Sequence, residues 1–212
     1  MAASGCRGEL STVDPAGAVA REIAVLWWVL LGGATIIFLL MMLLLAFALL
    51  HRQRGGAASE RVWLWGMGLA FPMVTLASLT VYGLVIGERI LAREAEGVVT
   101  VQAEARQWVW SFGYSDAPGL QTMDVLHIPA GSPVDVQITS VDVVHSFWVP
   151  RLAGKLDAIP GHVNVLRLRA DLPGDYAGQS AEFSGAGYRE HVFILRAHDP
   201  AGWAAFLAEG RP

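Results

Sequence analysis

The sequence predicts a membrane α + β protein: a two-helix transmembrane hairpin, then a periplasmic β-sandwich over residues 97–212 that closes with a short helix. Three observations predict it. The chain of 212 residues is 54% hydrophobic and only 16% charged, a balance foreign to a soluble domain. Two long uncharged runs occupy its first half. After them, apolar residues recur in short alternating runs punctuated by Gly, Pro and Asp, as half-buried strands do. A net charge of −4 without a basic block excludes nucleic acid as a partner.

Residues 1–22 read as a polar N-terminal tail on the periplasmic side, with a turn at Asp14-Pro15-Ala16-Gly17. Cys6 is the only cysteine, which excludes an internal disulfide and any thiolate cluster. It follows Ala3-Ser4-Gly5, a tripeptide that resembles the end of a bacterial lipoprotein cleavage box. Two readings stay open for it: an ordinary cysteine in a tail, or a lipidated one whose true start lies upstream.

Ile23 to Leu50 carries no charge and exceeds the roughly 20 residues needed to span a bilayer. Trp27 and Trp28 stand near its outer end, where indole rings favour the interface. The loop 51–61, HRQRGGAASER, holds Arg52, Arg54 and Arg61, which places it in the cytoplasm and both chain ends outside. A second uncharged run, Val62 to Gly87, forms the other span and extends to about residue 88. Pro72 removes a backbone donor there and is expected to kink the helix. Gly83 and Gly87 suit either a close helix contact or a lipid-facing surface. Glu88 to Glu96 reads as a helical linker.

Five strands are predicted: Val99–Ala105, Met123–Ile128, Pro133–Thr139, Asn164–Arg169 and His191–Ala197. Such short strands at this spacing argue a sandwich or barrel. In the tail, Asp199 can cap a helix whose first position is Pro200.

Particular segments then resemble subunit II of the heme-copper terminal oxidases, which oxidise cytochrome c or quinol. Gln107-Trp-Val-Trp110 with Phe112-Gly-Tyr114 resembles that subunit's aromatic-rich strand. Val141-Asp-Val-Val-His145-Ser-Phe-Trp-Val-Pro150 resembles the segment bearing its first copper histidine. Lys155-Leu-Asp-Ala-Ile-Pro160-Gly161 and Gly174-Asp-Tyr-Ala-Gly-Gln179 follow in the family's order. The resemblance covers the chain from Asp14 onward. It implies a cupredoxin-like β-sandwich, helices packed on subunit I, a neighbouring subunit III, and hemes and a further copper held by subunit I.

The stretch 178–191, GQSAEFSGAGYREH, is similar to the family's binuclear copper loop, read Cys-x-Glu-x-Cys-x-x-x-His-x-x-Met. Those positions are here Ser180, Glu182, Ser184, Tyr188 and His191, and the upstream ligand is His145. A binuclear copper centre needs two bridging thiolates, because soft sulfur couples the two ions. Serine hydroxyls cannot supply them. The resemblance therefore implies a subunit II without binuclear copper, as in the family members that take electrons from quinol at a site on subunit I.

The family also gives single residues a meaning. Glu182 stands where relatives help hold a Mg²⁺ shared with subunit I, and carboxylate oxygen suits a hard cation. The plainer reading is a hydrogen-bonded interface carboxylate. Glu60, before the second helix, stands near a glutamate that relatives use for proton uptake from the cytoplasm; a surface charge needs no such role. Trp108 and Trp110 read as packing aromatics once their copper acceptor is lost.

The leading reading is subunit II of a respiratory ubiquinol oxidase reducing O₂ to water with proton translocation, a structural subunit without a catalytic centre of its own. A second is a membrane-tethered cupredoxin with one metal at His145 and His191, acting as carrier or assembly factor. A third is subunit II of a divergent cytochrome c oxidase.

Overall fold

The computed structural model describes residues 6–50, 60–92 and 97–209. The chain divides into two compact units, one of residues 25–89 and one combining the N-terminal residues to Ala24 with Ile90 onward.

The membrane unit contains most of α1 (Ala18–Leu50) and α2 (Val62–Ile90), both long and apolar enough to cross a membrane. Large apolar side chains such as Leu43, Leu49, Leu64 and Val74 are exposed around both helices, an arrangement that lipid tolerates and water does not. The few hydroxyls bond back along the helix: Thr35 Oγ1 donates to Leu31 O, Ser78 Oγ to Val74 O and Thr80 Oγ1 to Leu76 O, all within 2.9 Å. α2 opens as a π-helix over Val62–Ala70, and the Phe71 N–H reaches back to Gly66 O. This widened stretch ends just ahead of Pro72, whose ring crowds the carbonyl four residues back. No atom approaches within 4 Å of a Cβ built on Gly83 or Gly87, so neither glycine serves a close contact among the described residues.

Two sequence expectations change here. The predicted helical linker from Glu88 stops early: α2 ends at Ile90 and the chain bends at Leu91, with the rest of that linker outside the described residues. The charged loop also falls largely outside them, Arg52 and Arg54 included.

The second unit is a sandwich of two five-stranded sheets. One runs β3 (Gln121–Met123), β2 (Val109–Tyr114), β1 (Val99–Arg106), β5 (Val134–Ser140), β8 (Asn164–Leu168). The other runs β4 (Val125–Pro129), β10 (Val192–His198), β9 (Gly174–Ser180), β6 (His145–Trp148), β7 (Leu156–Ala158). Pairing is antiparallel except between β1 and β5 and between β4 and β10. Alternation sets the core: Trp110, Phe112 and Tyr114 of β2, Val134, Val136 and Ile138 of β5, and Phe193, Leu195 and Ala197 of β10 all point inward.

Met123–Ile128, predicted as one strand, is two. Asp124 adopts φ 56° between β3 and β4, which send the chain into different sheets. Its Oδ1 accepts the Trp110 N–H at 2.9 Å and its own N–H donates to Trp110 O at 2.9 Å, so an Asp at this corner satisfies both groups of a neighbouring strand.

The N-terminal segment also differs from a free tail. Ala16 N–H donates to Arg151 O at 2.7 Å, Asp171 N–H to Ala16 O at 3.0 Å and Ala20 N–H to Leu152 O at 3.1 Å. Arg151 reaches Asp14, and Arg21 pairs with Asp171. Gly17 passes so close to Arg169 O that a side chain would clash. The first turns of α1 thus belong to the sandwich, which accounts for a helix of 33 residues, about 50 Å at 1.5 Å per residue. The predicted capped helix is present as α3 (Pro200–Glu209). Asp199 Oδ1 accepts the Gly202 N–H at 2.7 Å, and Phe206 buries its ring.

Candidate functional site

Three connections meet at one end of the sandwich: the β1–β2 turn at Gln107 and Trp108, the β5–β6 loop through Asp142, and the β9–β10 loop of residues 181–191. Asp142 ties the first two together. It accepts hydrogen bonds from Gln107 N–H (2.8 Å), Val143 N–H (2.6 Å), Ser140 Oγ (3.1 Å) and His145 Nε2 (2.9 Å). Burial alone would raise this carboxyl, but the donors, led by Gln107, outweigh it and hold it well below the usual carboxylate range. Gln107 also binds the third connection, its Nε2 donating to Ser184 O at 2.6 Å. Gly187, at φ 104°, lies under the Trp108 indole, 3.3 Å from where a Cβ would sit.

Four of the predicted positions converge inside this end. His145 opens β6, Ser180 closes β9, and Ser184 and His191 lie on the loop beyond; all four are buried. The imidazoles of His145 and His191 have ring centroids 5.0 Å apart. Trp110 stacks on His191 at 5.3 Å, and Trp108 meets both histidines edge-on at 6.5 and 6.1 Å. Ser180 N–H donates to His191 O at 2.8 Å, and Ser180 Oγ accepts a long bond from Ser146 N–H at 3.4 Å.

The other positions do not join them. Glu182 turns outward, where Lys155 Nζ lies 3.7 Å from its carboxylate and the Phe183 N–H donates to it. Tyr188 sits half-buried in a 3₁₀ turn with its ring edge-on to Phe183. Glu60 is exposed at the start of α2 in the membrane unit, and Cys6 is an exposed free thiol.

A second feature of this pocket has no sequence signal. Six buried polar atoms lack a hydrogen-bond partner among the described residues: His145 Nδ1, both ring nitrogens of His191, Ser146 Oγ, Ser184 Oγ and Trp110 Nε1. Burial, only partly offset by the Val109 backbone beside the ring and reinforced by the nearby His145, holds His191 below its ordinary pKa. Asp142 can only accept, so His145 carries a proton on Nε2, and Nδ1 is the ring nitrogen left without a partner among the described residues. Reading the sequence gave Asp142 no role; its place three residues before His145 was the available clue.

These residues do not fit a binuclear copper pair. Hydroxyls stand at both bridging positions, one engaged with Ser146 N–H, and the Tyr188 ring packs edge-on to Phe183. Among the described residues, no group of three His, Cys, Asp or Glu converges as metal ligands.

Comparison with known proteins places this arrangement. Residues 119–197 match the family model for the periplasmic domain of cytochrome c oxidase subunit II. Quinol oxidase subunit 2 of Bacillus cereus is 32% identical over 136 residues, 63% of this chain and 46% of the relative. Ubiquinol oxidase subunit 2 of Acetobacter aceti is 41% identical over 93 residues, 44% of this chain and 30% of the relative. The chain is thus similar, in its second unit, to subunit II of the oxidases.

Proteins named cytochrome c oxidase subunit 2 match this chain as well. It spans less than half the length of the quinol-oxidase relatives it matches. Its sandwich shares the fold of the periplasmic domain of subunit II of cytochrome oxidase from Bradyrhizobium japonicum. That likeness has a TM-score of 0.52 at 24% identity, over 57% of this chain and 96% of that one. The predicted cupredoxin-like sandwich behind two apolar helices is thus borne out.

Proposed function

We propose that this chain is subunit II of a ubiquinol oxidase that reduces O₂ to water and translocates protons, with a structural part in the complex and no catalytic centre in this chain. The observation that carries the reading is the pair Ser180 and Ser184 at the two bridging-thiolate positions. Without bridging sulfur the domain has no binuclear acceptor for electrons from a soluble cytochrome c. A donor dissolved in the membrane then reaches the hemes and copper of subunit I directly. The names of the Bacillus and Acetobacter relatives support the same donor class.

In this reading the two helices dock on subunit I, with subunit III completing the complex in the bacterial inner membrane. The 51–61 loop is cytoplasmic and the sandwich periplasmic. Glu182 meets subunit I, where its carboxylate, now near Lys155, contributes to a shared Mg²⁺. Glu60 at the start of α2 takes up protons.

A second reading, a divergent cytochrome c oxidase, is favoured by Trp108, which edges both histidines while 38% exposed, and by the relatives of that name. Turnover of the detergent-purified complex separates the two. Ubiquinol should support oxygen consumption, reduced cytochrome c should not, and the mixed-valence electron paramagnetic resonance signal of a copper pair should be missing. Turnover with cytochrome c alone would overturn the quinol reading.

A further inference from the structure

Two buried histidines at the loop end of the sandwich carry ring nitrogens without partners among the described residues. Buried polar groups in native proteins are nearly always paired, and leaving one unmade costs on the order of its whole desolvation. Here two imidazoles with unpaired nitrogens lie with ring centroids 5.0 Å apart, and the Trp110 ring stacks on one of them at 5.3 Å. The histidines are respectively 0% and 1% exposed.

We propose that His145 and His191 form a mononuclear, low-coordinate site for a monovalent soft cation, copper(I), distinct from a binuclear centre in stoichiometry, donor atoms and charge. Three features select the occupant. First, the donors are imidazole nitrogens, which suit copper. Asp142 fixes the His145 tautomer and makes its Nδ1 more basic, as carboxylate partners of metal-bound histidines do.

Second, the number of donors is small. With no third His, Cys, Asp or Glu to complete a set, a zinc ion, which closes a tetrahedron of four ligands, is poorly served. Copper(I) accepts two nitrogens, with Ser184 Oγ as a weak third. The spacing suits it, since imidazoles sharing an ion at about 2.0 Å have centroids within roughly 6.5 Å of each other, against 5.0 Å here.

Third, a buried cation is compensated here: Asp142 is bonded to His145, and Asp124 and Asp142 both lie within electrostatic reach of His191. Trp108, the partly exposed wall that edges both rings, is the side from which an ion enters.

The proposal is independent of the electron donor of the complex, because binding is read on the full-length chain alone. The chain, purified in detergent without a histidine tag, is titrated with copper(I) against a chromogenic chelator. It should take up one copper(I), and X-ray absorption should find two nitrogen scatterers. Asp142→Asn should weaken binding by roughly 10–100-fold. His145→Leu and His191→Leu should each weaken it further, and His127→Leu should leave it unchanged. Zinc(II) should compete poorly. If either leucine variant fails to fold, absorption by the wild-type chain still decides. No uptake, uptake indifferent to His145 and His191, or zinc(II) bound as tightly as copper(I) would each overturn the site.

Discussion

The sandwich contains two pairs of histidines, each drawn from segments distant in sequence, and they are built in opposite ways. His127 on β4 and His198 on β10 satisfy one another: Nδ1 of the first lies 2.8 Å from Nε2 of the second. Their rings stack at 5.0 Å, and Phe206 of α3 stacks on His127 at 4.1 Å. This pair fastens the C-terminal helix to the sheet. His145 and His191 touch only edge to face, and three of their four ring nitrogens have no partner among the described residues. A satisfied pair stabilises the fold; an unsatisfied one costs stability and is poised for something else. The same residue type in the same domain therefore reads as structure in one place and as a site in the other.

The largest effect that would break this contrast lies at Trp110, which is wholly buried and stacks on both Phe112 and His191. Trp110→Ala should destabilise the domain by about 3–5 kcal/mol, read from chemical denaturation followed by circular dichroism. A cost below 1 kcal/mol would mean that this end of the sandwich is not packed as described.

The same substitution in each pair should have opposite signs. His127→Leu leaves His198 Nε2 unpaired and should lower stability by about 1–2 kcal/mol. His191→Leu removes two unpaired buried nitrogens, so in metal-free buffer the midpoint should stay level or rise by up to about 1 kcal/mol. Equal losses in both variants would erase the distinction. Added copper(I) should raise the melting temperature of the wild-type chain but not of His191→Leu, because binding stabilises only a state that has the site.

The smallest effect is with pH. Burial, then the charges of His198 and Arg196, lower the His127 pKa from 6.5 to about 4; burial lowers His198 and His191 as well. For a base held low in the fold, the unfolded chain takes up the proton first. Stability is therefore full above pH about 6.5 and declines as the pH falls toward about 4. Denaturation midpoints at pH 7, 5.5 and 4.5 should fall in that order, with a shallower slope in His127→Leu. An unchanged slope would remove His127 from the account.

The sequence by itself determined the classes of element and the chemistry that is missing. Two uncharged runs must become membrane helices because length and hydrophobicity leave no other solvent for them. Asp199-Pro200 must start a helix because the cap and the fixed φ are local properties. The absence of bridging thiolates is plain from composition, since one cysteine at position 6 cannot supply two. Strands rich in Val, Ile and Leu were legible for the same local reason, whereas β6, β7 and β9 are short or polar and gain their place only by pairing.

Tertiary structure decided the rest. Asp124 turns one apparent strand into two sheets because the groups it satisfies belong to Trp110, a neighbour across β2. Residues 14–21 leave the role of a tail because Arg151, Leu152 and Asp171 offer them partners from far along the chain. Whether a histidine is satisfied is likewise not a property of its own segment. His127 finds His198 through the parallel register of β4 and β10, while the loops around His145 and His191 bring no partner to their inward nitrogens. Hydrogen bonding is short-ranged and directional, so only the packed arrangement can assign it.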